Sequence, residues 1–169
     1  MEKTHEPKRP KGWMRALYRF PLKFYHVGLG VLMGGRFIHL IHTGRESGFR
    51  REVVLEVVEH VDRDDIYYLA SGWGKGSDWY RNILKNPRIE AQVGRRKFRG
   101  RASPVKPDQA ADVFSRYGQR HPRALQTLAR GMGYRIEAID EDYRALGLVT
   151  PVVAISVENE LIRELPLMI

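Results

Sequence analysis

Apolar positions along the chain fall into short runs bounded by turn residues, the pattern of strands more than of long helices. Residues 37–42, FIHLIH, are β-rich, and TGRESG at 43–48 is a turn. Residues 51–61 hold Val53, Val54, Leu55, Val57, Val58 and Val61, which predicts a strand with room for a bulge. A polar hairpin turn at 62–65 leads into a strand over 66–70. Asp78 reads as the N-cap of a short helix over 79–85, which Asn86-Pro87 stops. Strands follow over 88–93 and 96–105 around Gly94-Arg95, the second alternating charge with small or apolar residues. Helices are expected at 109–117, 122–130 and 140–146, the last opening on acidic residues that suit a helix N-terminus. A final strand spans 151–157, and the residues past Glu158 trail off.

Tight turns between successive strands favour antiparallel pairing. Five or six such strands leave no bare edge if they curl into a small barrel, with the helices over its openings. The expected class is α+β. At 169 residues there is one domain's worth of core. The division read from the chain is a basic tail (1–11), a helical segment (12–36) broken near Pro21, the barrel domain (37–158) and a C-terminal tail (159–169).

Cysteine is absent, which excludes disulfides and thiol chemistry. The formal charge of +9 favours anionic partners: phosphates, polycarboxylates, nucleic acid or an anionic membrane surface. The basic, aromatic N-terminal segment is not a secretory signal, because Pro21 interrupts it and no small-residue cleavage site follows. Its uncharged run at 24–35 is too short to span a bilayer. It suits a helix packed on its own domain, and peripheral membrane contact is the other reading. The expected location is cytoplasmic, membrane-peripheral on that second reading.

Three stretches could carry chemistry. In TGRESG, glycines let backbone N–H groups converge into an anion-binding nest, and Arg45, Arg50 and Arg51 add charged donors. In SGWGKGSDWYRN, Gly72, Gly74 and Gly76 allow close backbone approach to a flat ligand. There Lys75 can meet an anion, and Trp79, Tyr80 and Asn82 begin a helix beside it. Core packing of Trp79 accounts for that residue equally well. The basic stretch RRKFRGR at 95–101 interleaves only Phe98, a poor stacking platform, so a solvated strand face explains it better than specific nucleic-acid binding. The six histidines show no metal-ligand spacing, and no metal site is expected. His39 and His42, three apart in a strand, face opposite sides.

Read together, FIHLIHTGRESGFRR and IYYLASGWGKGSDWYRNILKNPRIEAQVGRRKFRGRA resemble the deazaflavin-dependent nitroreductase and quinone reductase family. That family has a split β-barrel akin to FMN-binding proteins, and its motifs are matched in order across roughly residues 37 to 102. The resemblance implies a barrel of about six mostly antiparallel strands with flanking helices, and reduced 8-hydroxy-5-deazaflavin (coenzyme F420) as hydride donor. The acceptor would be a small molecule: a quinone, a nitro compound or an activated enone. Arg45, Ser47, Gly48, Arg50 and Arg51 would lie near the cofactor phosphate. Ala70, Ser71, Gly72 and Lys75 would line the ring or tail path, and Trp79 and Asn82 would border the ring. Tyr117 and Tyr134 lie where relatives place substrate-pocket tyrosines, and no catalytic acid is assigned.

Many relatives carry lysine at the position of Glu46. A carboxylate beside a phosphate repels it, so either Glu46 points away or the protein binds a different cofactor or none. FMN is the alternative cofactor, and a non-catalytic barrel that binds lipid or another hydrophobic group is the alternative function. Monomer and homodimer both remain open.

Overall fold

The structure is a computed structural model and describes residues 1–4 and 34–161. Residues 5–33, which hold most of the expected basic tail and of the helical segment expected over 12–36, and the residues past 161 lie outside the described residues. In chain order the strands are β1 (Glu2–Lys3), β2 (Phe37–Thr43), β3 (Arg50–Val61), β4 (Ile66–Ala70), β5 (Arg88–Val93), β6 (Arg96–Pro104), β7 (Tyr134–Arg135) and β8 (Val152–Glu160). The helices are α1 (Asp78–Lys85), α2 (Pro107–Arg120), α3 (Pro122–Gly131) and α4 (Asp140–Val149).

Six strands close into a barrel in the order β2-β3-β4-β8-β6-β5, with β5 pairing back onto β2 and every pair antiparallel. The expected barrel is therefore present. Strand alternation sends Ile38, Leu40, Val57, Leu69, Ile89, Ala91, Phe98, Val153 and Ile155 into its interior. The bulge expected in β3 falls between Val57 and Glu59. Val57 stays inside opposite Leu69, whereas Glu59 pairs with Tyr68 and Val58 joins a second core outside the barrel.

That second core corrects the expected placement of the helices. Among the described helices only α1 covers an opening, burying Trp79, Tyr80 and Ile83 in the barrel core. Helices α2, α3 and α4 pack on the outer wall, where Val58, Tyr68 and Val152 meet Val113, Phe114, Leu125 and Leu146. The strands supply apolar residues to both faces, so the wall itself needs a cover. Close approach of α2 and α4 depends on Gly147, where an added Cβ would lie 2.6 Å from Ala111 Cα and 2.7 Å from Ala110 O.

At the opening opposite α1, Arg96 binds Asp65 through both terminal nitrogens, Glu160 at 2.8 Å and Tyr67 Oη at 3.3 Å. His60 stacks on Tyr67 at 3.9 Å. These pairs, with Arg101 to Glu158 at 3.1 Å, carry β8 through to Glu160, beyond the strand end expected at 157. Residues 2–3 also differ from a tail: they pair with β7, and the Met1 ammonium meets Asp142. Among the described residues, no helix is long and apolar enough to cross a membrane.

Candidate functional site

The β2–β3 turn and helix α1 meet at the closed end of the barrel. Asp78 and Asn82 are four apart, so they share one helix face. Trp79, Tyr80 and Ile83 anchor the other face in the core. Arg45 reaches across to α1 from the turn. Its main-chain N–H donates to Asn82 Oδ1 at 3.1 Å, and its Nη1 donates to the same oxygen at 3.0 Å. Nη1 also donates to Asp78 Oδ1 at 3.2 Å. The Asn82 amide nitrogen lies 3.3 Å from His42 Nδ1. Asp78 was expected as the helix cap, but Ser77 holds that position and the Asp78 carboxylate serves Arg45.

The turn is organised differently from an open nest of amides. Gly44 N donates to Phe49 O at 2.8 Å, Gly48 N to Gly44 O at 2.9 Å and Phe49 N to Ser47 Oγ at 3.3 Å. With Arg45 N on Asn82, these N–H groups are engaged inside the protein. Gly48 has φ of 68°, the left-handed region that glycine enters freely. Charge for an anion therefore comes mainly from side chains. Arg50 leans toward Glu52 and Glu90, at 3.6 and 3.9 Å. Arg51 and Lys75 are exposed.

Arg45 is the distinctive group. Its side chain is 19% exposed. Its Nε is buried with no hydrogen-bond acceptor among the described residues. Glu46 Oε1 stands 3.5 Å from that nitrogen, outside hydrogen-bonding geometry, while the Glu46 side chain is 83% exposed. A buried donor left unpaired costs free energy. An anionic oxygen at that point would remove the cost, so the residues present fit a phosphate-bearing cofactor. Glu46 is free to swing away from it. Beneath the turn, burial pushes the His42 imidazole down to about 4, and the positive charge of Arg51 adds to this. His42 is thus neutral near pH 7 and adds no repulsion to Arg45.

The loop between β4 and α1 uses its polar groups internally. Ser71 is fully buried; its hydroxyl donates to Gly74 O at 2.7 Å and has Ser77 Oγ as its other partner at 2.6 Å. Gly74 has φ of 66°. A Cβ on Gly72 would sit 3.6 Å from Met132 Cγ, so this loop touches the end of α3. Ala70 packs with the outer core, and Trp79 packs in the barrel core edge-on to Tyr80. The structure thus joins Arg45 directly to Asn82. Ser47 and Gly48 follow in the same turn, Arg50 and Arg51 open β3 directly after it, and Ser71, Gly72 and Lys75 lie in the loop that leads into α1.

A cleft of about 320 Å³ opens on the outer face of β3, lined by Arg36, Glu56, His60, Tyr117, Arg120 and His121 among others. Tyr117 Oη donates to Glu56 Oε1 at 2.6 Å, and Arg36 Nε donates to the same oxygen at 3.1 Å. Below it, Arg116 grips Glu59 with two bonds of 2.7 and 2.8 Å. Burial, and next the Glu56 carboxylate, push the Tyr117 phenol well above its ordinary value. The sequence reading omitted His42, Glu56 and Asp78 from the site. His42 shares the parity of Ile38 and Leu40, and Glu56 breaks the apolar run of β3; both signals were available.

The closed barrel with a capping helix and a helical outer layer is a split-barrel architecture. A putative pyridoxamine 5'-phosphate oxidase from Listeria innocua has this fold at 12% identity, with 83% of this chain and 98% of that chain covered and a TM-score of 0.50. A conserved hypothetical protein of Mycobacterium tuberculosis matches at 13% identity over 94% of this chain and 88% of its own, with a TM-score of 0.54. A protein of unknown function from Agrobacterium tumefaciens matches at 17% identity over 93% of this chain and 60% of its own, with a TM-score of 0.55. At such identities the likeness is one of fold. The family follows from the sequence: the model of the F420H(2)-dependent quinone reductase family matches residues 14–132, and the chain belongs to that family. It is a deazaflavin-dependent oxidoreductase with coenzyme F420 as its cofactor.

Proposed function

We propose that this chain reduces a quinone-type acceptor at the expense of F420H2, with the cofactor phosphate on the β2–β3 turn and the acceptor in the cleft beside Tyr117. The observation that carries the reading is the buried Nε of Arg45, which has no hydrogen-bond acceptor among the described residues and faces only the exposed Glu46 carboxylate at 3.5 Å. Arg45 supplies the first anion contact. Arg50, Arg51 and Lys75 add long-range attraction, and Ser47 and Gly48 shape the turn around the phosphate. Ala70, Ser71 and Gly72 form one side of the ring path, with Trp79 as the rigid support beneath it. When bound, the reduced deazaflavin supplies a hydride.

The chain's own task is to orient the two reactants and manage the proton. Strand β3 connects the two sites: Glu56 lines the cleft, and Arg50 at the strand's start adjoins the turn. Arg36 and Arg120 at the cleft favour an acceptor that gains negative charge as it is reduced. Tyr117 keeps its proton on Oη within the cleft, where it donates to Glu56, and on turning from that carboxylate to an acceptor oxygen it is the group placed to donate it. Nitro compounds and activated enones share this requirement and rank after quinones.

Titration of the protein with oxidised F420, followed by ligand fluorescence and with FMN as control, tests the reading. Saturable binding that prefers the deazaflavin is expected. Arg45→Ala should weaken it roughly ten- to a hundredfold, the scale of a lost charged hydrogen bond. Undiminished affinity in that variant would remove the phosphate from this turn.

A further inference from the structure

We infer that Asn82 is a positioning residue for anion binding, acting through Arg45, and does not itself touch the cofactor ring. The inference rests on the reading that Arg45 meets the phosphate. Its basis is how the amide is already used. Oδ1 receives two donors from one residue, Arg45 N at 3.1 Å and Arg45 Nη1 at 3.0 Å. A carboxamide oxygen has two acceptor positions, so both are filled. The amide nitrogen faces His42 Nδ1 at 3.3 Å. The side chain sits in a residue only 5% exposed.

The amide cannot be turned over without loss. A flipped carboxamide would set its N–H groups against the two donors of Arg45. His42 completes the logic: held neutral by burial, its Nδ1 accepts from Asn82 when the ring proton is on Nε2. Hydrogen-bond donation therefore runs one way, from Arg45 to Asn82 Oδ1 and from the Asn82 amide nitrogen to His42 Nδ1. Because the guanidinium is planar and rigid, fixing the main chain and Nη1 also fixes the direction of Nε. Asp78 braces the same Nη1 at 3.2 Å from its own exposed position one turn earlier. What Asn82 secures is a preset direction for a buried side-chain donor that has no hydrogen-bond acceptor among the described residues. An asparagine that bordered the ring would have to abandon this arrangement.

The test is a double-mutant cycle with two probes. The parent protein, Asn82→Ala, Arg45→Ala and the double variant are each titrated with oxidised F420 and with a deazaflavin that lacks the phosphate. Asn82→Ala should weaken F420 by about tenfold and shift the phosphate-free probe by no more than about twofold. In the Arg45→Ala background, Asn82→Ala should add nothing further. Equal weakening of both probes by Asn82→Ala, or losses that multiply in the double variant, would overturn the inference and return Asn82 to the ring. If alanine leaves too little folded protein, as thermal melting will show, Asn82→Ser keeps a polar group in the pocket and should give the same split between probes. Failure of the parent to bind F420 at all would be seen in the first titration. It would sink the underlying reading separately.

Discussion

His42 connects protonation to both stability and the anion site. Unfolded, its imidazole takes up a proton near 6.5; folded, burial holds it off until about 4. Above 6.5 neither state is protonated and His42 leaves stability unchanged with pH. As pH falls from 6.5 toward 4 the unfolded chain binds the proton and the native one does not, so stability is lost across that window. A shift of this size corresponds to something on the order of 3 kcal/mol. Urea unfolding at pH 7.5 and pH 4.5 should show the decline in the parent and a flatter response in His42→Gln. An equal decline in both would assign the effect elsewhere. The carboxylates act lower: Arg96, chiefly through its hydrogen bond, holds Asp65 below the usual carboxylate range, so its contribution is lost only as pH falls further. The same protonation of His42 removes the acceptor for Asn82, which links the stability window to the setting of Arg45.

The elements divide into those with a local signature and those set by their neighbours. Strands β2 to β6 were legible because alternation, turn residues and β-branched runs coincide, as in Ile38 and Leu40 or in the valines of β3. The position of α2 to α4 was not legible. It depends on Val58, Tyr68 and Val152 pointing outward, and the bulge after Val57 decides which valines do so. The two-residue strands β1 and β7 carry no period, and the last residues of β8 depend on partners at Arg96 and Arg101. For the site, Arg45 and the turn were legible by residue type. The bond from Arg45 to Asn82 spans 37 positions and exists only once α1 caps the barrel. Contact between helices is testable at one glycine. Gly147→Ala puts a methyl group against the α2 backbone at 2.6 Å, where nothing flexible can yield. A loss of roughly 1–3 kcal/mol is expected, as for other overpacked cores. Gly131, in the last turn of α3 with open space around it, is the control, and alanine there should be neutral or slightly stabilising. Equal melting temperatures for the two variants would show that α2 and α4 do not pack so closely.

At the scale of the whole molecule, the proposed function separates two tasks along one strand. Arg50 begins β3 beside the anion turn, whereas Glu56 and the bulge at Val57 and Glu59 stand against the cleft and its helices. Binding and proton delivery should then fail independently. Arg45 lies on the turn and Tyr117 near the end of α2, and the hydrogen bonds of one do not include the other. Tyr117→Phe removes the phenolic proton and keeps the ring that fills the outer core. Affinity for oxidised F420 should therefore stay within about twofold. Turnover of a quinone acceptor should fall by about a hundredfold or more, the usual reach of general acid catalysis. Arg45→Ala should show the reverse profile, with weak cofactor binding but a rate at saturating F420H2 much closer to the parent. The decisive comparison is the rate at saturation in the two variants. If Tyr117→Phe turns over as fast as the parent, solvent supplies the proton and the cleft only holds the acceptor. If Tyr117→Phe instead weakens F420 as much as Arg45→Ala does, the two sites are one, and the division of labour along β3 is wrong.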